Sequence, residues 1–368
     1  MTARASRRRP VSVIALAGVA ASLGLAACGG SGGADGDEEF VLHYTTYSNA
    51  TSDQSRTVQR WAEEVEELTD GGVRVEFHYS ESLVGADESV QATLDGRADL
   101  AQVGSLYAAS DLSMYTVSEL PFETENPEAH MRTLARMFEE DPVYREDFDR
   151  QGVRQLFPLP LASAVVGVNE PVSSLDDLAG RSIRAGGLTS EVMLAAGANP
   201  VAMTATDVYE SMERGVIGGY TSLALANLPT FGLSDVTPYI LDPGIGAYGS
   251  SIVVVNEELF DSMPAEYQDA LLTASGHAVD NGLEELGVLA DEACADLRES
   301  DAEFTSLPDE DVAEWRELAG ADDDWVDRYS ERGYDAAGVL ERYRRIIAEE
   351  TEASSYVDPL HDCMGEAS

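Results

Sequence analysis

The chain has 368 residues, of which 68 are acidic and 23 are basic, and its formal net charge is −45 at pH 7. So acidic a composition argues against charge-driven binding to nucleic acid or to an anionic lipid surface, and we interpret the acidity as a means of staying soluble, including at high salt. The 44% hydrophobic content is typical of a globular fold, and the length suffices for two lobes with substantial cores.

The first 27 residues have the layout of an export signal. They carry four arginines and no acid, and residues 11–27 form an apolar stretch that ends in Leu-Ala-Ala before Cys28. The run Leu-Ala-Ala-Cys resembles the bacterial lipobox, in which the cysteine becomes the lipidated first residue of the mature protein. We therefore expect a lipoprotein signal peptide over residues 1–27, a lipid anchor at Cys28 and a flexible tether over residues 28–38. An ordinary secretory signal with an incidental cysteine is the alternative.

Apolar periodicity predicts an α/β order over the first part of the remaining chain. Strands are predicted at residues 40–44, 73–79 and 100–103, with helices between them at residues 52–68 and 90–94. Ser52 and Asp53 are placed to cap the first of these helices. Because strands that alternate with helices form parallel sheets with crossover connections, the pattern predicts a parallel sheet.

The middle of the chain repeats this order, and the last third is mainly helical. The pattern predicts, in chain order, a strand at 181–185, a helix at 189–196, a strand at 200–203, a helix at 207–214, a strand at 218–222 and a buried strand at 252–255. Helices are predicted over residues 264–300 and 308–351. They are suited to bracing two α/β lobes.

Two cysteines remain besides Cys28. Cys294 lies in the predicted helical region and Cys363 lies near the end of the sequence. In an exported protein two cysteines most simply pair, so we expect a disulfide between them. A zinc site is the weaker alternative, because no second Cys/His pair lies at ligand spacing near either cysteine.

Signals of catalysis are scarce. The sequence has no His-Glu-x-x-His zinc motif and no Gly-x-x-x-x-Gly-Lys phosphate loop, and with no lysine it has no group for a Schiff base. The five histidines occur singly, and the acidic runs at residues 309–311 and 322–324 lack the alternation of a calcium loop, which favours solvated acidic turns. We therefore expect a protein that is not an enzyme and has no metal and no cofactor.

An ordered series of short motifs runs through residues 83–104 and 171–223. The series reads Leu-Val-Gly-Ala-Asp-Glu at 83–88, Gly-Arg-Ala-Asp-Leu-Ala at 96–101, Pro-Val-Ser-Ser-Leu-Asp-Asp-Leu-Ala-Gly at 171–180, Ser-Ile-Arg at 182–184, Gly-Ala-Asn-Pro-Val at 197–201 and Val-Tyr-Glu-Ser-Met-Glu-Arg-Gly-Val at 208–216. In order and spacing it resembles the substrate-binding proteins of tripartite ATP-independent periplasmic (TRAP) transporters, the DctP-type family. The resemblance covers roughly residues 40–290.

The resemblance implies an α/β fold. Its two lobes are expected to form a clamp like that of a periplasmic binding protein, similar to type II. Each lobe is expected to be a mixed sheet flanked by helices, with a long helix and the C-terminal helices bridging the lobes. One lobe is predicted over residues 39–162 and 250–290, and the other over residues 163–249 and 291–368. A small solute is expected to bind in the cleft between them.

The resemblance also implies that Arg184 is the family arginine that binds a ligand carboxylate. A guanidinium suits this role, because its planar fork binds a carboxylate through two N–H groups and stays protonated. The alternative is a strand arginine paired with one of the many acids. Ser222 stands roughly where the family has a ligand-binding asparagine, and Tyr220 is predicted to pack on the ligand.

Two departures from the family pattern bear on the ligand. Many members carry a second arginine in the strand before residue 171, where this chain reads Ala-Ser-Ala-Val at 162–165. The family segment Asp-Gly-x-Glu-Asn-Pro is replaced by Ile-Gly-Gly-Tyr-Thr-Ser-Leu at 217–223. Both changes reduce recognition by charge, so a monocarboxylate with an apolar or hydroxylated body is predicted in place of a dicarboxylate or sialic acid.

Further candidate contacts follow predicted strands. Tyr47 and Asn49 follow the first strand and Tyr107 follows the third, and ligands of α/β sheets bind beyond the carboxyl ends of strands. Each is equally well explained as a packing or turn residue. Glu88 is a weaker ligand candidate, and a helix-capping or loop role is the alternative.

Together these features predict a lipoprotein on the extracytoplasmic face of the cell membrane that captures a small organic acid. It would present the closed, ligand-bound form to integral-membrane permease subunits, because contacts to both lobes stabilise closure. Two alternatives are a substrate-binding lipoprotein of an ATP-driven importer and an anchored hydrolase.

Overall fold

The structure, a computed structural model, describes residues 39–365. The predicted signal peptide, the anchor Cys28 and the predicted tether lie outside the described residues. Within the described part the chain forms eleven strands and fourteen α-helices. No helix of this part is both long enough and apolar enough to cross a membrane.

Strands are concentrated in the first two thirds of the described chain, and helices dominate the last third. The strands are β1 (Phe40–Thr45), β2 (Val73–His78), β3 (Leu100–Gly104), β4 (Val153–Leu159), β5 (Ala164–Val168), β6 (Ser182–Arg184), β7 (Asn199–Val201), β8 (Gly219–Ala224), β9 (Tyr239–Asp242), β10 (Ser251–Asn256) and β11 (Glu303–Ser306). The helices are α1 (Asp53–Leu68), α2 (Ser89–Leu94), α3 (Ser105–Ala108), α4 (Pro127–Glu140), α5 (Pro142–Arg150), α6 (Gly187–Ala195), α7 (Val208–Glu213), α8 (Asn227–Thr230), α9 (Glu257–Ser262), α10 (Ala265–Glu299), α11 (Asp309–Ala319), α12 (Ala321–Glu331), α13 (Ala336–Ala353) and α14 (Pro359–Met364).

Two mixed sheets organise the described chain. The first has the strand order β2-β1-β3-β10-β4, in which β1 pairs in parallel with both β2 and β3. The predicted parallel arrangement of these three strands is therefore confirmed. β10 runs antiparallel to both β3 and β4, which makes the sheet mixed.

The second sheet has six strands in the order β11-β9-β5-β8-β6-β7. β6 is parallel to β7 and β8, whereas β5 is antiparallel to β8 and β9. The predicted strand–helix–strand order of this region therefore forms only part of a larger mixed sheet.

The chain passes between the sheets three times. It leaves the first sheet after β4, returns from β9 to β10, and leaves again through α10 to reach β11. Helix α10 has 35 residues and is therefore about 50 Å long. The carboxyl ends of β1 and β3 from the first sheet and of β6 and β8 from the second line one cavity, and the candidate site lies there.

Helix α1 illustrates how the sequence specifies an element of the first sheet. The Ser52 hydroxyl accepts a hydrogen bond from the backbone N–H of Ser55, as the predicted cap requires. Val58, Trp61 and Val65 recur at helical spacing and are all fully buried against the sheet and α10. The apolar stripe therefore fixes which face of α1 packs on the core.

The C-terminal helical region differs from its prediction in two respects. The predicted helical stretch over residues 308–351 is three helices, because the chain adopts left-handed backbone at Gly320 (φ 48°) and Gly333 (φ 96°). The acidic runs at 309–311 and 322–324, expected to be turns, instead form the first turns of α11 and α12. Negative charge there complements the positive end of each helix dipole.

A disulfide joins Cys294 of α10 to Cys363 of α14 across 69 residues of sequence. The link fastens the C-terminal segment to the longest helix of the described chain. Arg298, one turn beyond Cys294 on α10, also donates a hydrogen bond to the carbonyl of Cys363.

Candidate functional site

Arg184 is the last residue of β6, and its side chain lies in the interior of the molecule with 1% of its surface exposed. Its guanidinium donates hydrogen bonds to two carbonyls and one hydroxyl, those of Met203 (3.2 Å), Thr221 (2.9 Å) and Tyr107 (3.2 Å). None of these acceptors carries a negative charge, so they orient the guanidinium without neutralising it.

No carboxylate of the described residues lies within ion-pair distance, 4.0 Å, of Arg184. Burying a cation without an anionic partner is costly, and stable proteins rarely retain such an arrangement without a role for it. The guanidinium also has more N–H groups than these three acceptors use. The site is therefore electrostatically prepared for an anion.

A cavity that is partly open to solvent lies beside Arg184. Its walls come from both sheets and from the connections between them. Aliphatic hydroxyl groups on the wall belong to Ser48, Ser52, Ser105, Ser222, Thr230, Ser250 and Ser251. Aromatic rings come from Tyr47, Tyr107, Phe231 and Tyr248, and aliphatic surface comes from Leu106, Leu161, Ala205 and Leu223. One cation in a wall of rings, aliphatic groups and hydroxyls suits a small organic anion.

Ser222 reaches this cavity through an irregularity in β8. Its backbone is left-handed (φ 64°), and the pairing with β5 shifts register there, so that Thr221 and Ser222 together lie opposite Val166. The Ser222 hydroxyl is buried and makes no hydrogen bond within the described residues. A strained residue with an unpaired buried hydroxyl at a cavity wall is typical of a ligand site.

The same irregularity removes Tyr220 from the site. In a regular strand residues 220 and 222 would face the same side, but the extra residue at the bulge breaks that alternation. Tyr220 is fully buried in the core, its hydroxyl lies 2.9 Å from the hydroxyl of Thr237, and its ring fills the space next to Gly167. Tyr220, predicted to pack on the ligand, is therefore not among the residues that line the cavity.

Of the other four predicted ligand contacts, two line the cavity and two do not. Tyr47 and Tyr107 both line the cavity, with their rings edge to face at 5.6 Å, and the Tyr47 hydroxyl lies 2.5 Å from that of Ser251. Asn49 is not on the cavity wall and donates a hydrogen bond to the carbonyl of Thr230 at 2.8 Å. Glu88 is 58% exposed and lies 3.7 Å from Arg97, away from the cavity. Of these four candidate contacts, the structure thus brings Tyr47 and Tyr107 to the cavity, and Asn49 and Glu88 lie outside it.

Sequence reasoning missed an acid in the cavity wall. Asp53, the first residue of α1, is 2% exposed and accepts a hydrogen bond from the side chain of Asn227 at 3.4 Å. Burial raises the pKa of Asp53 to about 6, although backbone N–H groups at the start of α1 oppose this shift. The sequence indicates only a capping role for Asp53, because nothing in the local sequence distinguishes a solvated capping acid from a buried one.

The histidines are not all isolated in space. His43, Glu76 and His78 present side-chain ligand atoms that all lie within 4.8 Å of one another, and they form the single such group found in residues 39–365. None of the three lines the Arg184 cavity.

Comparison with known proteins identifies the family. Residues 44–325 match the family described as bacterial extracellular solute-binding protein, family 7 (DctP). The C4-dicarboxylate-binding periplasmic protein DctP of Rhodobacter capsulatus is 24% identical over 288 residues, 76% of this chain and 84% of that protein. The ectoine-binding periplasmic protein TeaA of Halomonas elongata is 22% identical over 297 residues, 78% of this chain and 85% of that protein.

Solved structures show the same fold. A marine metagenome TRAP solute-binding protein from an unidentified microbe, described as specific for aromatic acid ligands and crystallised with 3-hydroxybenzoate, gives a TM-score of 0.77. It is 22% identical, and the match covers 85% of this chain and 99% of that one. The two sheets, their three connections and the cavity between them therefore define a two-lobed solute-binding clamp. The chain belongs to the DctP family, the extracytoplasmic solute receptors of TRAP transporters.

Proposed function

We propose that this protein binds a small organic monocarboxylate in the Arg184 cavity. The observation that carries the proposal is the burial of Arg184, 1% exposed, without a carboxylate of the described residues to pair with it. A ligand carboxylate would supply the missing negative charge and accept the unused N–H groups.

The composition of the cavity wall favours one carboxylate over two. Among the residues that the structure describes, Arg184 is the only cationic one on that wall, and Asp53 on the same wall would repel a second ligand carboxylate when ionised. The remaining surface of rings, leucines and serine hydroxyls suits an apolar or hydroxylated body. The related protein crystallised with 3-hydroxybenzoate holds a molecule of this kind.

A second candidate is a zwitterionic acid, and Asp53 is the observation that favours it. An ionised Asp53 offers a partner for a positive group on a ligand whose carboxylate is bound by Arg184. Ectoine, the ligand named for TeaA, carries both charges. The two candidates differ in whether Asp53 opposes or supports binding.

The transport role and the anchor complete the proposal. Because the chain belongs to a family of TRAP solute receptors, we expect it to deliver the bound acid to integral-membrane permease subunits. Lipidation at Cys28 followed by a glycine-rich tether would keep the receptor close to that permease, which raises its effective concentration without fixing its orientation.

The proposal is tested by substitution of Arg184. We expect Arg184→Ala to weaken carboxylate binding by about 100-fold or more, because losing one side of a buried charged pair costs about 3–5 kcal/mol. Arg184→Lys should restore part of the affinity, since it keeps the charge but not the planar fork. Isothermal titration with benzoate, 3-hydroxybenzoate, succinate and ectoine measures both effects.

Arg181 provides the matched control. It lies three residues earlier, and its guanidinium donates hydrogen bonds to backbone carbonyls, those of Glu170, Pro171 and Asp177. Arg181→Ala should leave ligand affinity unchanged, and circular dichroism should show that both variants fold. Equal affinity of Arg184→Ala and the unaltered protein would refute the assignment, and tighter binding of succinate than of either benzoate would refute the monocarboxylate preference.

A further inference from the structure

His43, Glu76 and His78 form a compact group on the first sheet, at its β2 edge. His43 of β1 pairs in register with Glu76 of β2, and His78 follows two residues later on the same face of β2. His43 Nδ1 lies 3.1 Å from His78 Nε2. Glu76 Oε2 lies 3.9 Å from His43 Nδ1, and Glu76 Oε1 lies 3.9 Å from His78 Nε2. The three side chains therefore bring ligand atoms to within 4.8 Å of one another.

We propose that these three side chains bind one Zn²⁺ ion. Two imidazoles and one carboxylate form a ligand set that zinc accepts, with water at the remaining position. Zn–N bonds of about 2.0–2.1 Å at a tetrahedral angle place two nitrogens about 3.3–3.4 Å apart. The observed 3.1 Å is close to this value. Imidazole ligands also disfavour Mg²⁺ and Ca²⁺, which prefer sites made of oxygen atoms.

The backbone of this group is held in place independently of any ion. The N–H of His43 donates a hydrogen bond to the carboxylate of Asp99 (2.8 Å). The carbonyl of His43 accepts a hydrogen bond from the backbone N–H of Asp99 (2.9 Å). The carbonyl of His78 accepts from the N–H of Thr46 at 3.0 Å. The Glu76 side chain, 59% exposed and 3.9 Å from each ring nitrogen, would move inward to complete the ligand set. Ligands on paired strands are well suited to a preorganised metal site.

The environment also favours a cation. The chain carries 68 acidic residues against 23 basic ones, so its field attracts a divalent ion to the surface. Arg74, on the same face of β2, is paired with Glu39. A bound ion would join the edge strand β2 to β1 through side chains and so strengthen the edge of the sheet.

The test measures Zn²⁺ binding directly on protein purified without a histidine tag. Equilibrium dialysis should give one Zn²⁺ per chain, and Co²⁺ in its place should give the visible absorption of a tetrahedral site. We expect His78→Ala and His43→Ala each to weaken binding by more than about 100-fold, and Glu76→Gln by about 10-fold, since even outer partners of metal ligands contribute about 10–100-fold.

His277 provides the control. It is exposed beside Glu64, with His277 Nδ1 2.8 Å from a Glu64 oxygen, but it belongs to no three-ligand group in residues 39–365. His277→Ala should leave stoichiometry and affinity unchanged. Binding that survives His78→Ala, or that is lost equally in His277→Ala, would overturn the proposal. Failure of the unaltered protein to take up Zn²⁺ would show that the two rings form a hydrogen-bonded pair only.

Discussion

At the scale of single residues, the cavity wall contains both a buried cation and a buried acid. Arg184 and Asp53 both lie on its wall, at 1% and 2% exposure. Burial raises the pKa of Asp53 to about 6, from an ordinary value of 3.8. The net charge of the cavity wall therefore changes within the range in which such a protein is readily assayed.

The first prediction at this scale concerns the pH dependence of binding. As the pH falls through about 6, Asp53 takes up a proton and its repulsion of a ligand carboxylate disappears. For a monocarboxylate that stays ionised, we expect affinity at pH 5 to exceed that at pH 7.5 by roughly three- to tenfold, the equivalent of about 1 kcal/mol. For a zwitterion the sign reverses, because its positive group loses an ionised partner. Titration calorimetry at both pH values distinguishes the two.

Asp53→Asn is the matched variant for this prediction. It should abolish the pH dependence of binding. Any pH dependence that persists belongs to another group, and Glu119 is one candidate because burial raises the pKa of Glu119 to about 7. The raised pKa of Asp53 means that the folded state holds its proton more tightly than the unfolded state. Ligand-free stability should therefore fall as the pH rises from about 4 to about 6. Above pH 6 Asp53→Asn should be the more stable protein, by about 1–3 kcal/mol.

At the scale of elements, the start of α6 is held by a buried carboxylate from elsewhere in the chain. Glu119 is 1% exposed, and one of its oxygens accepts the N–H of Leu188 at 2.7 Å, in the first turn of α6. Gly187 adopts left-handed backbone there (φ 52°), and a Cβ atom at this position would overlap that carboxylate. Because α6 begins only three residues after Arg184, this contact helps to fix the strand end that carries the guanidinium.

Two glycines allow the value of this contact to be measured. Gly180 has a similar left-handed backbone (φ 76°), but a Cβ atom there would meet nothing within 4 Å. Gly180→Ala should therefore lower the unfolding free energy only by the cost of a left-handed backbone at a non-glycine residue, about 1 kcal/mol. Gly187→Ala should cost about 1–3 kcal/mol more, because it also displaces the buried Glu119 carboxylate.

Urea denaturation of both glycine variants checks this prediction. Equal losses of unfolding free energy in the two variants would contradict the role given to Glu119. A loss of ligand affinity confined to Gly187→Ala would further connect the start of α6 to the position of Arg184.

Helices and strands with a clear hydrophobic periodicity are predictable from the sequence, and those without such a periodicity are not. The alternation in β2 and the apolar stripe of α1 predict both elements to within a few residues. The sequence predicts no strand for β4, whose residues Val-Arg-Gln-Leu-Phe-Pro-Leu contain a proline and lack alternation. Nor does it predict β11, since the four residues of that strand alternate too briefly and are partly exposed.

The site is predictable where it depends on a motif and hidden where it depends on tertiary structure. Arg184 follows from the ordered series of family motifs around it. The sequence predicts Ser222 and Tyr220 together, but a one-residue bulge in β8 separates their side chains, and bulges leave little trace in sequence. His43 and His78 are 35 residues apart and meet only because β1 and β2 pair in parallel in one particular register.

At the scale of the whole molecule, the C-terminal segment fastens the connections between the sheets. The Asp358 carboxylate accepts a hydrogen bond from the N–H of Ser163, in the passage from β4 to β5, at 2.7 Å. His361 lies 3.4 Å from Asp242 at the end of β9, and that carboxylate raises the pKa of His361 to about 9, so His361 is charged at neutral pH. The segment thus contacts two of the places where the chain leaves a sheet, and the disulfide fixes it to α10.

The disulfide is therefore expected to stabilise the fold without contributing to the cavity. Neither cysteine lines the Arg184 cavity, so the double variant Cys294→Ser/Cys363→Ser should bind the ligand with unchanged affinity. Closing a 69-residue separation restricts the unfolded chain by an amount worth about 4 kcal/mol in the entropic account, so the variant should lose about 2–4 kcal/mol of unfolding free energy. Urea titration of the oxidised protein, the reduced protein and the variant measures this loss. The reduced protein should match the variant, and the variant should not respond to reductant. An unchanged denaturation midpoint would mean that the contacts of Asp358 and His361 hold the segment by themselves.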